Sequence, residues 1–218
     1  VFSYLVLLGF ILGVGQALQQ ISLIYTDVAN TGVFTVMYVL IVPFISYFIF
    51  SRKIHWSVWP AVSFCVIGGL FLSELRNISV RYGDTLGVLS AFCWAFHIIY
   101  ISKTIKFFNF PITIAMSQCL VAFLFTVFPM VIYENPSLVN ISKDSYEILY
   151  VGVFSSGLAF LLQTYTLQNL SPAPAAIVFS LEGVFAAIFA WLILDQFLNE
   201  IKILGILLIL FAVIFSQI

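Results

Sequence analysis

The sequence predicts an all-α membrane protein, a multi-span bundle of apolar helices, and three observations carry that prediction. Hydrophobic residues make up 63% of the 218 positions and charged residues only 8%. With a mean hydropathy of +1.17, such a chain cannot build a water-facing surface. Its apolar residues gather in runs of about the length, roughly 20 residues, that carries a helix across about 30 Å of hydrocarbon. These runs are continuous rather than alternating, which excludes the strands of a membrane barrel, and they lack the polar face of a soluble helix.

Eight stretches qualify or nearly do, and each is bounded by turn or charge chemistry. The first, 2–24, stops at TDVAN; the second, 28–50, stops at SRKIH. The third, 56–73, runs into ELRNISVRYGD, whose last four residues open the fourth span, 84–102. KTIKFFNFP separates that span from the fifth, 112–133, and ENPSLVNISKDSYE separates the fifth from the sixth, 148–168. NLSPA leads into the seventh, 173–194, and DQFLNEIK into the eighth, 201–217. Three cysteines, Cys65, Cys93 and Cys119, sit inside apolar runs without metal-ligand or redox spacing and read as small buried hydrophobes. A net charge of −1 gives no basic surface for nucleic acid.

Sliding the chain by 144 residues lays 3–74 on 147–218 without a gap. Gly13 then matches Gly157, Gln19 matches Gln163, Leu23 matches Leu167 and Ala29 matches Ala173, while the charged turn at Ser51, Arg52 and Lys53 falls on the one at Asp195 and Gln196. The first three helices therefore correspond to the last three, and residues 83–218 form one unit of five helices while 1–75 supply the last three of another. An odd number of helices per unit forces the two units into opposite orientations, the inverted-repeat arrangement with a site between the halves. From the offset and the span length we expect two further spans, roughly sixty residues, before Val1. Val1 to Tyr4 carries no charged leader of the signal-peptide kind.

Basic residues are evenly divided, with Arg52, Lys53, Lys103 and Lys106 at one end of the bundle and Arg76, Arg81, Lys143 and Lys202 at the other. Acids break the tie. Asp27, Glu74, Asp84, Glu134, Asp144, Glu147, Asp195 and Glu200 all fall on the second end, so the acid-free end is expected to face the cytoplasm. The sequons at Asn77 to Ser79 and Asn140 to Ser142 would then face outward, although a bacterial chain does not use them.

SPAPAAIVFSLEGVFAAIFAWLILDQFLNE followed by LGILLILFAVIF resembles the last two helices of an EamA-type unit of the drug/metabolite transporter superfamily. YTDVANTGVFTVMYVLIVPF, GDTLGVLSAFCWAFHIIY and YVGVFSSGLAFLLQTYTLQNLSP resemble other parts of the same family in the right order, so the likeness covers essentially the whole chain. The resemblance implies ten helices in two inverted five-helix units that move small solutes across the membrane, commonly outward. It also implies an integral, multi-pass protein, with the bacterial inner (plasma) membrane as its expected home. This chain departs from the family in having Gly183 where a Pro usually follows Glu182, and in showing eight of the ten helices.

The intramembrane polar residues are the candidates for chemistry. Glu182 lies near the middle of a long apolar run and is the acid placed well inside a span; His97 is the ionisable residue of comparable depth. Holding a charge there costs about 2.5–3.5 kcal/mol on insertion scales, so Glu182 is expected either to meet a cation or proton in transport, or to stay neutral or bond freed backbone. Ala176, Gly183, Ala187 and Ala190 follow small-residue spacing on its helix and suggest close packing on a neighbour. Gly9, Gly13, Gln16 and Gln20 form one small and polar stripe on the first helix, which must face protein or a cavity. Gln19 and Gln163 read as interhelical hydrogen-bonding residues or as substrate contacts. Trp94, His97 and Tyr100 with Gln118 make an aromatic and polar wall, His97 serving as a structural donor or a proton carrier, and Tyr38 is the residue the offset pairs with Glu182.

No Lys or Arg lies deep in a span, which disfavours phosphate-bearing substrates and favours neutral or cationic metabolites or drugs. The expected function is therefore a secondary transporter exporting such small-molecule solutes by alternating access, with the proton as a coupling ion, the lipid bilayer as its surroundings and a homodimer left open. No cofactor or metal is called for. A non-transporting scaffold or lipid-handling protein is the alternative. An intramembrane enzyme is a third class, disfavoured because paired intramembrane Asp, a Ser/His motif and metal-ligand spacing are all missing from the sequence.

Overall fold

A computed structural model describes residues 1–26, 28–51, 53–73, 81–134, 137–195 and 197–217. Asp27, Arg52, Glu74, Arg76, Gln196 and the sequon at Asn77 lie outside them, and Asn140 falls in a short helix. Among the described residues every regular element is helical. The order is α1 (Phe2–Tyr25), α2 (Val28–Val36), α3 (Tyr38–Phe48), α4 (Val58–Leu72), α5 (Tyr82–Phe107), α6 (Pro111–Pro129), α7 (Leu138–Lys143), α8 (Ser145–Tyr150), α9 (Ala159–Asn169), α10 (Pro172–Phe179), α11 (Leu181–Leu194) and α12 (Glu200–Phe215). A π-helical turn, Met130–Glu134, extends α6, and a longer one, Val151–Leu158, joins α8 to α9.

Each expected stretch is found. Among the described residues six helical segments are long and apolar enough to cross a membrane: Phe2–Tyr25, Thr31–Phe48, Tyr82–Phe107, Pro111–Glu134, Ser145–Asn169 and Pro172–Ile193. The remaining two, α4 and α12, have 15 and 16 residues, only about 22–24 Å at 1.5 Å per residue. They run shorter than the sequence suggested because the ends of their apolar runs are used in turns, around Trp56 and Ser57 before α4 and at Ser216 and Gln217 after α12.

The helix ends follow local chemistry. Pro111 and Pro172 stand in the first turns of α6 and α10, where a missing N–H costs nothing. Asn199 caps α12, its side-chain oxygen accepting from the Lys202 N–H at 2.9 Å. Inside the spans some hydroxyls bond back to their own helices, as in Thr164 to the Phe160 carbonyl at 2.7 Å and Thr126 to the Ala122 carbonyl at 3.0 Å, so that these donors are satisfied without water.

α5 is the spine of the bundle, with over half of its apolar window buried against 11–44% for the other long segments. It packs on α1, α2, α3, α9 and α10. Small residues set the closest approaches. A Cβ on Gly68 of α4 would lie 2.7 Å from the Gly205 carbonyl oxygen of α12, and one on Gly205 would lie 2.7 Å from that of Gly68; the two short helices cross backbone to backbone. On α1, a Cβ on Gly9 would fall 2.8 Å from the Gln118 carbonyl and one on Gly13 would fall 3.0 Å from the Phe125 ring, so this end of the expected stripe does face protein. The second small-residue stripe behaves otherwise. Ala176 is fully buried, but a Cβ on Gly183 would meet open space, because the helix is interrupted between them and its second half no longer continues the packed face of the first.

One polar knot ties the end of α1 to the starts of α2 and α5. The Ser22 hydroxyl donates to the Gly83 carbonyl at 2.7 Å and lies 3.0 Å from that of Thr31. Asp84, 2% exposed, accepts from the Thr26 hydroxyl at 2.6 Å and from the Arg81 N–H at 2.8 Å. Its carboxylate thus serves as the acidic arm of a helix N-terminus, a stabilising place for negative charge.

Candidate functional site

Two spanning segments are broken near mid-length. α2 stops at Val36 and α3 starts at Tyr38, with Met37 between; α10 stops at Phe179 and α11 starts at Leu181, with Ser180 between. The backbone tightens at both breaks. The Met37 N–H reaches the Phe34 carbonyl at 3.3 Å and the Gly183 N–H reaches that of Ser180 at 3.1 Å, three residues back rather than four. Pro43 removes a further N–H from α3. Ser46, near the end of α3, and Ser171, before the start of α10, line the same pocket, so the two broken segments run in opposite directions.

Tyr38 and Glu182 flank these breaks. Tyr38 opens α3 and is 8% exposed. The Cys65 thiol donates to the Ser180 hydroxyl at 3.0 Å, and Ser180 donates to the Ile177 carbonyl at 2.5 Å. Glu182 itself is exposed on the isolated chain. Among the described residues it has no hydrogen-bond partner, so nothing in the protein's own backbone claims its carboxylate oxygens.

A second constellation is built from amides and aromatic rings. His97 and Gln118 are both fully buried, and His97 Nε2 lies 3.0 Å from Gln118 Oε1. With a carbonyl oxygen opposite, Nε2 must carry the hydrogen, which leaves Nδ1 a bare acceptor and the Gln118 amide nitrogen an unused donor; neither has a partner. Trp94 Nε1 donates to Gln19 Oε1 at 3.1 Å. The Trp94 ring stacks on Phe160 with centroids 6.2 Å apart, and His97 sets its edge against both rings. Gln163, one turn beyond Phe160 on α9, also buries an oxygen without a partner. Each such atom costs about 1–3 kcal/mol for as long as it stays unpartnered.

Of the expected site residues, the structure gathers Gln19, Trp94, His97 and Gln118 into one cluster and sets Tyr38 and Glu182 next to the two helix breaks. Gln16 is half-buried and Gln20 exposed, and among the described residues no hydrogen bond joins either to Glu182 or His97. Tyr100 turns away, its ring packing on Phe50 at 6.3 Å. Phe160, Cys65 and Ser180 were not singled out by the sequence. Phe160 is one of 24 phenylalanines and its only signal is its place one turn before Gln163; Cys65 and Ser180 look like ordinary small residues until the fold sets them together.

The family described as the EamA-like transporter family matches residues 81–217, more than half of the chain. The chain belongs to the EamA-like transporter family. This EamA chain is accordingly an integral, multi-pass membrane protein, and the likeness read from its helices is established. An uncharacterized transporter of Archaeoglobus fulgidus is 29% identical over 94% of the EamA chain and 67% of its own length. The uncharacterized transporter YoaV of Bacillus subtilis is 23% identical over 95% of the chain and 72% of its own length. One solved crystal structure has the same fold, with a TM-score of 0.78 at 14% identity, covering 99% of this chain and 88% of that one. Family and relatives together make the protein a membrane transporter.

Proposed function

We propose that this transporter exports small neutral or cationic solutes by alternating access between two inverted repeats, of which α1–α4 and α5–α12 are the parts described, in a bacterial plasma membrane. The observation that carries the reading is the pair of broken, oppositely directed segments with Tyr38 beside one break and an unpaired Glu182 beside the other. Interrupted helices of this kind free backbone polar groups at mid-membrane depth, where transporters bind solutes and coupling ions. Glu182 is the proton or cation acceptor and Tyr38 its hydrogen-bonding partner during transport. The Trp94 and Phe160 rings, backed by the enclosed His97 and Gln118, supply a wall that offers aromatic faces to a cation or an apolar solute. Deep Lys and Arg are lacking, so a phosphate-bearing substrate has no counter-charge at this site.

The test is flux through proteoliposomes of the full-length protein under an imposed pH gradient, with a lipophilic quaternary ammonium, a neutral amino acid and a sugar phosphate as solutes. Flux of either of the first two, none of the third, and loss of gradient-driven flux in Glu182→Gln are expected. Equal flux by the wild type and Glu182→Gln for every solute would overturn the role given to the carboxyl.

A further inference from the structure

We infer that Cys65 is a positioning residue for Glu182, acting through the Ser180 hydroxyl at the break between α10 and α11. The inference rests on the reading of Glu182 as the proton or cation acceptor, and it adds a residue from a third helix, α4, to that site.

Ser180 has one hydroxyl hydrogen, and the Ile177 carbonyl takes it at 2.5 Å. The same carbonyl also accepts the Ser180 N–H at 3.2 Å. A serine that bonds back in this way competes with the helical ladder and bends its helix, and here the bend is the break. With its hydrogen held by Ile177, the Ser180 oxygen can only accept from Cys65, whose thiol lies 3.0 Å away. The order of donation is therefore Cys65 to Ser180 to Ile177, each bond polarising the next. Cys65 is fully buried and Ser180 is 2% exposed, so solvent does not compete for either bond.

The two halves of the broken segment are held unequally. α10 buries Pro172, Ala173, Ala175, Ala176 and Ile177, whereas Val184 is the buried residue among the described ones of α11, and Phe185 and Phe189 beside it are each 55% exposed. α10 is the held half, and the direction of α11 is set at the break. Glu182 stands in the first turn of α11, two residues beyond Ser180, so any change in the break is passed directly to its carboxyl. Cys65 comes to the break from α4, one turn before Gly68, where α4 crosses α12 backbone to backbone. The thiol therefore reaches Ser180 from a helix that is itself pinned.

Dicyclohexylcarbodiimide modifies a protonated carboxyl in an apolar setting, so its reaction with Glu182 reports on that group without any transport. The rate at Glu182 is followed by mass spectrometry, at one fixed pH, in the full-length protein in nanodiscs, with Glu182→Gln as the blank. Wild type, Cys65→Ser, Cys65→Ala, Ser180→Ala and the double variant of Cys65→Ala with Ser180→Ala are compared. Cys65→Ser keeps a donor in place and should react as the wild type does. Cys65→Ala and Ser180→Ala should each change the rate at least about twofold, the lower end of coupling within one hydrogen-bond network. The double variant should change it no further than Ser180→Ala alone, because Cys65 acts through that hydroxyl. A rate unchanged by Cys65→Ala overturns the inference even if the unfolding temperature falls; so do equal changes in Cys65→Ser and Cys65→Ala, or additive changes in the double variant. Where Ser180→Ala accumulates poorly, Cys65→Ala against Cys65→Ser still decides. Equal flux by the wild type and Glu182→Gln would remove the transport role of the carboxyl and leave the carbodiimide rates to settle the part of Cys65.

Discussion

Glu182 and His97 are the two deep ionisable side chains, and the structure treats them differently. His97 is enclosed and hydrogen-bonded to Gln118, whereas Glu182 is exposed and unbonded. Replacing Gln118 by Leu strands the His97 N–H in an apolar enclosure and should cost about 1–3 kcal/mol of stability, read as a lowered unfolding temperature in detergent. Replacing both residues by Leu should cost less than the sum of the single changes, because no donor is then left alone; additive costs would mean that the bond contributes nothing. For Glu182 the contrast is between activity and accumulation. Glu182→Leu should accumulate in the membrane as well as the wild type, since among the described residues no hydrogen bond reaches its carboxyl, while transporting no solute. Poor accumulation of Glu182→Leu with normal transport by Glu182→Gln would assign the carboxyl a structural part instead.

At the level of the helix, the glycines make opposite predictions. Gly68→Ala puts a methyl 2.7 Å from the Gly205 carbonyl, a contact that the backbone itself must relieve, and should destabilise the protein by about 1–3 kcal/mol. Gly183→Ala meets open space and removes the conformational freedom of a helical glycine, a gain of up to about 1 kcal/mol. Thermal melts of the two variants should move in opposite directions; parallel shifts would show that the small-residue contacts do not decide helix packing here. The positions of the helices were legible in the sequence, since span length and turn residues such as Pro111 and Asn199 act locally. Their breaks were not. No Pro or Gly stands at Met37 or Ser180, so the usual sequence signals of an interruption are missing there, and the small-residue spacing through Gly183 was read as one continuous face for that reason. The pairing of Gln19 with Trp94, or of Cys65 with Ser180, joins residues far apart in the chain, which no local pattern reveals.

For the whole molecule, orientation is the testable quantity. Ser51, Ser171 and Gln217 lie at the acid-free end, and Tyr82 and Asn199 at the other. Single cysteines placed there, in a background with Cys65, Cys93 and Cys119 replaced by Ala, should react with a membrane-impermeant thiol reagent in two opposite patterns. The first three should label from the cytoplasm and the last two from outside; the reverse pattern would invert the orientation, and mixed labelling within a group would contradict the bundle's ends as described.

The contact between Gly68 and Gly205 also sets a schedule for synthesis. α4 is made early, too short to span the bilayer comfortably, and its backbone partner in α12 is separated from it by most of the remaining chain. At about 5–20 residues per second, the ribosome needs on the order of ten seconds to deliver that partner. During that interval α4 has, among the described elements, α2, α3 and the incoming α10 and α11 beside it, so its insertion is settled late and by neighbours rather than by its own hydropathy. A nascent chain arrested before Glu200 should therefore leave α4 extractable by alkali or accessible to protease, and one arrested beyond Phe215 should not.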